Sequence, residues 1–138
     1  MTAPHSEPQR DILVVEQAAM VGSIIVSTAR QLNMPNVRLA TSIRGAQQLL
    51  EQHAFSGLIA SLNDEAPALE MIQNLRDGQY RTAANVPLAV TATACGVDLA
   101  NSLRGFLVRR VLLKPFKVRD VILTIRLLQD GPQEKQAA

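Results

Sequence analysis

Few residues of this sequence could do nucleophilic chemistry, and their sequence context argues against it. A serine hydrolase needs its serine on a tight turn flanked by glycine, with a histidine close enough to act as a base. Ser61 has no glycine neighbour, and the histidines are His5 near the amino terminus and His53 near the end of a predicted helix. Cys95 has no histidine near it and is interpreted as a small, half-buried residue at a helix start. We therefore expect no catalytic residues, and we expect His53 to be exposed near a helix carboxyl terminus.

Loops that hold the phosphate groups of nucleotides are also missing from the sequence. Phosphate loops of ATPases follow G-x-x-x-x-G-K-[ST], and dinucleotide-binding loops follow G-x-G-x-x-G after the first strand. Neither pattern occurs, and the first apolar run is followed by Glu16 and Gln17 rather than by glycines. A nucleotide-binding fold of either kind is therefore not expected.

The chain has the size and composition of one compact domain. It has 138 residues, of which 47% are hydrophobic and 3% aromatic, so aliphatic side chains must build the core. A formal net charge of +2 excludes binding of nucleic acid through overall charge. A single cysteine excludes an internal disulfide and a cysteine-based zinc site. Because the sequence has no signal-peptide pattern and no apolar run long enough to span a membrane, we expect the protein to act in the cytoplasm.

Short apolar runs alternate with longer segments along the chain, and this alternation predicts the fold. Five runs lack polar alternation, which is typical of strands covered on both faces. These predicted strands are residues 11–15, 37–40, 57–60, 87–90 and 108–113. Strands joined by helices pair in parallel through right-handed crossovers, with helices on both faces. The sequence therefore predicts a three-layer α/β/α sandwich around a five-stranded parallel sheet.

The longer segments carry residues at helical spacing, which predicts five helices. The predicted registers are Met20, Ile24, Ser27 and Gln31; Ile43, Ala46, Leu49 and Leu50; Leu69, Ile72 and Leu75; Val97, Leu99, Ala100 and Leu103; and Val118, Val121, Ile122, Ile125 and Leu128. The two ends of the chain are rich in Pro, Gln, Glu and Ala. We therefore expect a domain over residues 11–129, a frayed tail at 1–10 and a tail or linker at 130–138.

Three of the predicted strands resemble strands of response-regulator receiver domains. Residues 12–17, ILVVEQ, are similar to the first strand and acidic pair of that family, and residues 86–90, VPLAV, to its fourth strand. Residues 111–116, VLLKPF, are similar to the fifth strand with its Lys-Pro-Phe ending. The resemblance covers roughly the predicted domain. It implies the flavodoxin-like receiver topology and a regulatory, non-enzymatic role in two-component signal transduction.

The resemblance also implies a phosphorylation pocket, and this sequence departs from the family at almost every position of it. In the family an acidic pair holds a divalent metal, an aspartate takes a phosphoryl group from a histidine kinase, and a Thr or Ser and a lysine complete the pocket. The corresponding residues here are Glu16, Gln17, Ser61, Ala92 and Lys114, with Thr91 and Thr93 on either side of Ala92. Only the lysine is retained. The resemblance therefore implies a degenerate pocket, that of a pseudo-receiver.

The charges of this pocket predict that its chemistry is lost. Three carboxylates and one lysine give a working receiver pocket a charge of about −2, which attracts Mg²⁺. Here Glu16 and Lys114 sum to zero, so we expect weak or absent Mg²⁺ binding, no cofactor, and a structural pair between these two side chains. A serine also cannot form an acyl phosphate. Phosphotransfer by the aspartyl route is therefore expected to fail.

Two alternatives to this interpretation stay open. Asp64, in the loop after Ser61, could accept a phosphoryl group as a non-standard residue, although Asp64 and Glu65 also suit a helix amino terminus. The second alternative is a small flavodoxin-like ligand-binding protein or enzyme, which needs a pocket at the strand ends.

A basic stretch near the carboxyl terminus is the remaining candidate for function. Residues 104–126 include several basic residues and one acid, Asp120. The candidate partner surface consists of Arg104, Arg109, Arg110, Lys117 and Arg119. The resemblance implies that this part of the fold serves dimerisation or docking, and a basic face fits an acidic partner. We expect a signalling protein as partner, such as a kinase, output domain or adaptor, with homodimerisation left open and neither membrane nor nucleic acid expected.

Overall fold

The computed structural model describes residues 11–34 and 36–129, in which strands and helices alternate. The strands are β1 (Ile12–Val15), β2 (Val37–Ala40), β3 (Gly57–Ser61), β4 (Leu88–Ala92) and β5 (Arg110–Leu113). The helices are α1 (Ala19–Gln31), α2 (Ile43–Gln52), α3 (Glu65–Arg76), α4 (Val97–Gly105) and α5 (Val118–Gln129). The predicted tails at 1–10 and 130–138 lie outside the described residues. Among the described residues, none of the helices has the length and apolar composition that a membrane-spanning helix needs.

The strands form one parallel sheet in the order β2-β1-β3-β4-β5. The three central strands are buried along their whole length, because helices cover both of their faces. One core lies between the sheet and α2, α3 and α4, and the other lies between the sheet and α1 and α5. The predicted three-layer sandwich is confirmed. The carboxyl ends of the strands meet at one edge, where such folds gather functional side chains.

The face that α1 buries differs from the predicted face. The predicted register is marked by Met20, Ile24, Ser27 and Gln31. All four are exposed, Met20 by 77%. The buried residues of this helix are Gly22, Ile25 and Ala29. A Cβ on Gly22 would lie 2.5 Å from Cδ1 of Leu39, so α1 approaches the sheet too closely for a larger side chain. Small residues add little to a hydrophobic pattern, and the pattern therefore indicated the wrong face.

The predicted registers of α2, α3 and α5 are confirmed, whereas α4 fits its register only in part. The buried residues of α2 are Ile43, Ala46 and Leu50, and those of α5 include Val121, Ile122, Ile125 and Leu128. In α3, Ile72 and Leu75 are buried. In α4, Leu103 is buried but Val97 is exposed.

Helix α4 ends in a Schellman turn with an unusual residue at its left-handed position. The amide of Leu107 donates to the carbonyl of Arg104, and the amide of Val108 donates to the carbonyl of Leu103. Leu107 has a φ of 61° and is 72% exposed. Because residues 107–108 close the helix, β5 begins at Arg110 rather than at the predicted residue 108.

Two other helices end with the same turn but carry residues that suit it. Asn33 lies two residues after the end of α1 and has a φ of 57°. Gly78 lies two residues after the end of α3 and has a φ of 81°. Asparagine and glycine tolerate left-handed backbone, whereas a leucine in this conformation costs about 1 kcal/mol. The backbone at Leu107 is therefore strained, and its exposed side chain adds no burial energy that would offset the cost.

Relief of this strain gives a first testable prediction. Leu107→Gly is expected to raise the free energy of unfolding by about 1 kcal/mol, because glycine adopts positive φ freely and the lost side chain is mostly exposed. Urea unfolding measures the change. As a control, Ser102→Gly in the body of α4 is expected to lower stability by about 0.5 kcal/mol. A destabilised Leu107→Gly variant would contradict the proposed strain.

Tight packing at the start of β3 gives a second prediction. A Cβ on Gly57 would lie 2.6 Å from Cδ1 of Ile12 and 3.1 Å from Cβ of Leu128. Gly57→Ala is expected to destabilise the fold by about 2 kcal/mol, because α5 must shift to make room. Gly105→Ala is the matched control, since a Cβ there meets nothing within 4 Å. Equal urea midpoints for the two variants would contradict this packing argument.

Candidate functional site

A buried carboxylate, that of Glu16, lies at the carboxyl end of β1. Its side chain is 2% exposed. The amide of Glu16 donates to the carbonyl of Ala40, which continues the β1–β2 pairing by one residue. The amide of Ala18, just before α1, donates to Oε2 at 3.0 Å. The start of α1 therefore helps to hold the negative charge of Glu16.

Lys114 follows β5 and brings its ammonium group to this carboxylate. Nζ lies 3.0 Å from Oε1 of Glu16, and the Lys114 side chain is 19% exposed. Nζ also donates to Oγ of Ser61 at 3.2 Å and to Oδ1 of Asn63 at 3.4 Å. The predicted pairing of Glu16 with Lys114 is therefore observed. Three acceptors surround the three protons of the ammonium group, so its hydrogen-bonding capacity is used within the protein.

Ser61 ends β3 and its side chain is fully buried beneath Lys114. Its exposed fraction is 0%, and Oγ accepts from Lys114 and, at 3.4 Å, from the amide of Asn63.

His53, the only histidine among the described residues, caps the end of α2, where Nε2 accepts from the Arg38 guanidinium at 3.0 Å. No base therefore contacts Ser61, and His53 is exposed as predicted.

The assignment of Ala92 to the pocket needs a correction of one residue. Ala92 packs in the core beneath α2, α3 and α4, whereas its carbonyl accepts from the amide of Lys114 at 2.7 Å. Side chains alternate between the faces of a strand, so Thr91 and Thr93 share the opposite face. Thr91 pairs with Ser61 in the sheet register, and Thr93 lines a cavity together with Lys114. Counting along the chain could not settle this register, because the loop before β5 has no fixed length.

Two polar side chains of the site lack partners among the described residues. They are Gln17, whose amide oxygen and nitrogen are both buried, and Thr91, whose Oγ1 is buried. Buried polar atoms in proteins are normally hydrogen-bonded, often by ordered water. The described residues contain no group of three His, Cys, Asp or Glu side chains that could hold a metal ion.

The loop after β3 places Asn63, rather than Asp64, toward Lys114. Asn63 is the residue that sequence reasoning missed, and its position two residues after Ser61 is the only signal that could have indicated it. Asp64 is exposed at the capping position of α3, where its side chain makes no capping hydrogen bond, and Glu65 begins the helix. Both acids lie at a helix amino terminus, which is one of the two positions that the sequence suggested for them.

The basic residues of the predicted partner surface separate into two groups. Arg104, Arg109 and Arg110 lie around the turn from α4 to β5, whereas Lys117 and Arg119 follow the opposite end of β5. The length of β5 therefore lies between the two groups. The sequence order alone could not reveal this, since a strand carries its two ends to opposite edges of the sheet.

An apolar cavity of about 490 Å³ lies beside the site, between α1 and the start of α5. Val21, Ile24, Phe116 and Val118 form most of its wall, and Lys114 and Thr93 are also in its lining. Exposure of Ile24 on α1 contributes to this opening.

Structural comparisons place these features in a known fold. No family model matches the sequence, and no curated protein matches it significantly. The receiver domain of HemR from Leptospira biflexa has a TM-score of 0.77 at 15% identity, with 91% of this chain and 98% of that chain covered. A response regulator receiver protein from Pseudomonas putida has a TM-score of 0.76 at 17% identity, with 88% and 99% covered. The signal receiver domain of a putative Luxo repressor protein from Vibrio parahaemolyticus has a TM-score of 0.75 at 15% identity, with 89% and 92% covered. The chain therefore has the fold of a response-regulator receiver domain.

Proposed function

We propose that this protein is a receiver-like regulatory module of two-component signalling that binds a partner protein and is not phosphorylated by the usual aspartyl route. One observation carries the proposal: the Lys114 ammonium lies 3.0 Å from Glu16 and also contacts Ser61 and Asn63. The cation that would meet a phosphoryl group in a working receiver is thus engaged within the protein.

The donor set of the site does not fit a divalent metal. A hard cation such as Mg²⁺ prefers several carboxylate and water oxygens in octahedral geometry. The site offers one carboxylate, that of Glu16, and an ammonium group already neutralises it. Ser61, Asn63 and Gln17 add no charge. We therefore assign the site a structural role and derive no metal-dependent step from it.

The position of Ser61 also argues against phosphoryl transfer. Its side chain is 0% exposed, and its Oγ is held by the ammonium of Lys114. An in-line attack needs an accessible nucleophile and a base or metal to activate it. Among the described residues, the hydrogen-bond partners of Ser61 Oγ are the Lys114 ammonium and the amide of Asn63, and neither is a base. The regulatory state of this module is then set by its partner rather than by phosphate.

Treatment with acetyl phosphate and Mg²⁺, followed by intact-mass analysis, tests the proposal. We expect no mass increase from a phosphoryl group under conditions that label a working receiver domain run in parallel. Phosphorylation of Ser61 would contradict the proposal. Phosphorylation at the exposed Asp64, abolished by Asp64→Asn, would also contradict it and would support the non-standard acceptor instead.

The partner is proposed to be a signalling protein, such as a kinase, an output domain or an adaptor, acting in the cytoplasm. The support for a protein partner is electrostatic, because residues 99–119 contain basic side chains and no Asp or Glu. An acidic partner surface fits this stretch.

A further inference from the structure

We propose that the cavity between α1 and the start of α5 is a binding site for a small, neutral and mainly apolar molecule. The cavity has a volume of about 490 Å³ and lies beside Lys114, at the carboxyl ends of the strands. Open α/β sheets bind their ligands at this edge. The inference goes beyond the proposed function, because it adds a small-molecule site to a module that is proposed to bind a protein.

The wall of the cavity is apolar and is fixed by the core behind it. Val21, Phe116 and Val118 line the cavity and also pack against the core between the sheet and helices α1 and α5. Ile24, which is 48% exposed, adds another apolar side chain from α1. Because the wall residues are packed from behind, the space exists before a ligand binds. Filling it therefore requires little rearrangement, which favours affinity.

The volume of the cavity suits an organic molecule. Ligand pockets in proteins commonly measure about 300 to 1,000 Å³ and are lined mainly by apolar side chains, with a few polar groups. An apolar cavity of about 150 Å³ accommodates benzene, so a volume of about 490 Å³ has room for roughly three rings. Removal of such a molecule and of the wall from water would drive binding.

The charges of the lining favour a ligand without net charge. Lys114 lines the cavity, but its ammonium lies 3.0 Å from the carboxylate of Glu16 and also contacts Ser61 and Asn63. Its charge is therefore compensated, and its three protons are engaged within the protein. An anionic ligand would have to separate Lys114 from Glu16 or lie unpaired against an apolar wall, and both are unfavourable.

The end of β4 supplies hydrogen-bonding groups to one side of the cavity. Thr93 is in the lining, and its hydroxyl can donate and accept. Thr91, two residues earlier on the same face, has a buried Oγ1 without a partner among the described residues. We therefore expect the ligand to direct one hydrogen-bonding group toward Thr93, while its apolar body contacts Ile24 and Phe116.

Fluorescence titration of the full chain with N-phenylnaphthylamine tests this proposal. The probe is neutral, consists of three aromatic rings and one N–H group, and emits more strongly in apolar surroundings. We expect saturable one-to-one binding, with amide NMR shifts at residues 21, 24, 93, 114, 116 and 118. Anilinonaphthalene sulfonate adds a sulfonate to the same rings and is expected to bind these residues at least about tenfold less tightly.

Ile24→Lys and Leu32→Lys are a matched pair of variants on α1. Both native side chains are 48% exposed, but only Ile24 is in the lining of this cavity. Ile24→Lys is expected to weaken probe binding about tenfold or more, because it brings an unpaired charge to the apolar wall. Leu32→Lys is expected to leave probe affinity unchanged. Circular dichroism checks that both variants fold.

Four results would overturn the proposal. They are the absence of saturable binding, shifts outside the lining residues, tighter binding of the sulfonate there, and equal probe affinity of the two lysine variants. Self-association of the wild-type chain that Ile24→Lys abolishes and Leu32→Lys does not would assign the cavity to a second copy, which would also contradict the proposal. Phosphorylation of the wild-type protein would instead overturn the proposed function, and it would leave the probe result as it stands.

Discussion

The double substitution Gln17→Asp with Ser61→Asp is expected to create a Mg²⁺ site beside Lys114. Glu16 and the two new carboxylates would then face one ammonium, that of Lys114. Two unit charges 4 Å apart interact by about 1 kcal/mol even at the dielectric of water, so a divalent ion gains about 2 kcal/mol from each added carboxylate. We therefore expect affinity for Mg²⁺ to rise by about a hundredfold or more, measured by isothermal titration calorimetry.

The matched control for this gain keeps the shape and removes the charge. Ser61→Asn, with the native Gln17 kept, adds an amide of the size of aspartate and is expected to bind no Mg²⁺. With acetyl phosphate, the double aspartate variant is also expected to become phosphorylated at position 61. Equal Mg²⁺ affinity in the double variant and the control would contradict the charge argument.

Breaking the Glu16–Lys114 pair is expected to have the second large effect, this time on stability. Loss of one partner of a buried pair leaves an uncompensated charge, which costs about 3 kcal/mol. Lys114→Met is expected to be more destabilising than Glu16→Gln, because Glu16 is 2% exposed and Lys114 is 19% exposed. A lysine with some access to water can turn its ammonium outward, whereas the buried carboxylate cannot. Urea unfolding of each variant measures the two costs.

The double variant Glu16→Gln with Lys114→Met completes a mutant cycle. It is expected to lose less stability than the sum of the two single variants, because no charge is then left buried alone. Glu51→Gln, at an exposed position of α2, is a control that should change stability by less than about 0.5 kcal/mol. Strict additivity of the two single changes would mean that the pair does not interact energetically.

The fold was predictable because its main signal is the alternation of element types. β1 and β3 read as continuous apolar runs, and their burial on both faces follows from helices that the spacing also predicts. The signal failed where close packing selects small residues. Gly22 and Ala29 bury the inner face of α1, and neither adds much to a hydrophobic pattern.

The one contact of the site that could be predicted from the sequence is the pair formed by Glu16 and Lys114. Glu16 and Lys114 are the charged residues that directly follow β1 and β5, and burial of either alone would be costly, so their pairing followed from the sequence. Asn63 and the choice between Thr91 and Ala92 did not follow, because a loop conformation and a strand register decide them.

Titration of the wild-type protein with Mg²⁺, followed by amide NMR at residues 16–18, 61–63 and 114, measures whether the pocket beside Lys114 binds a divalent ion. We expect no saturable shift at millimolar Mg²⁺, because the ammonium of Lys114 already neutralises the carboxylate of Glu16. A saturable shift confined to these residues would contradict it.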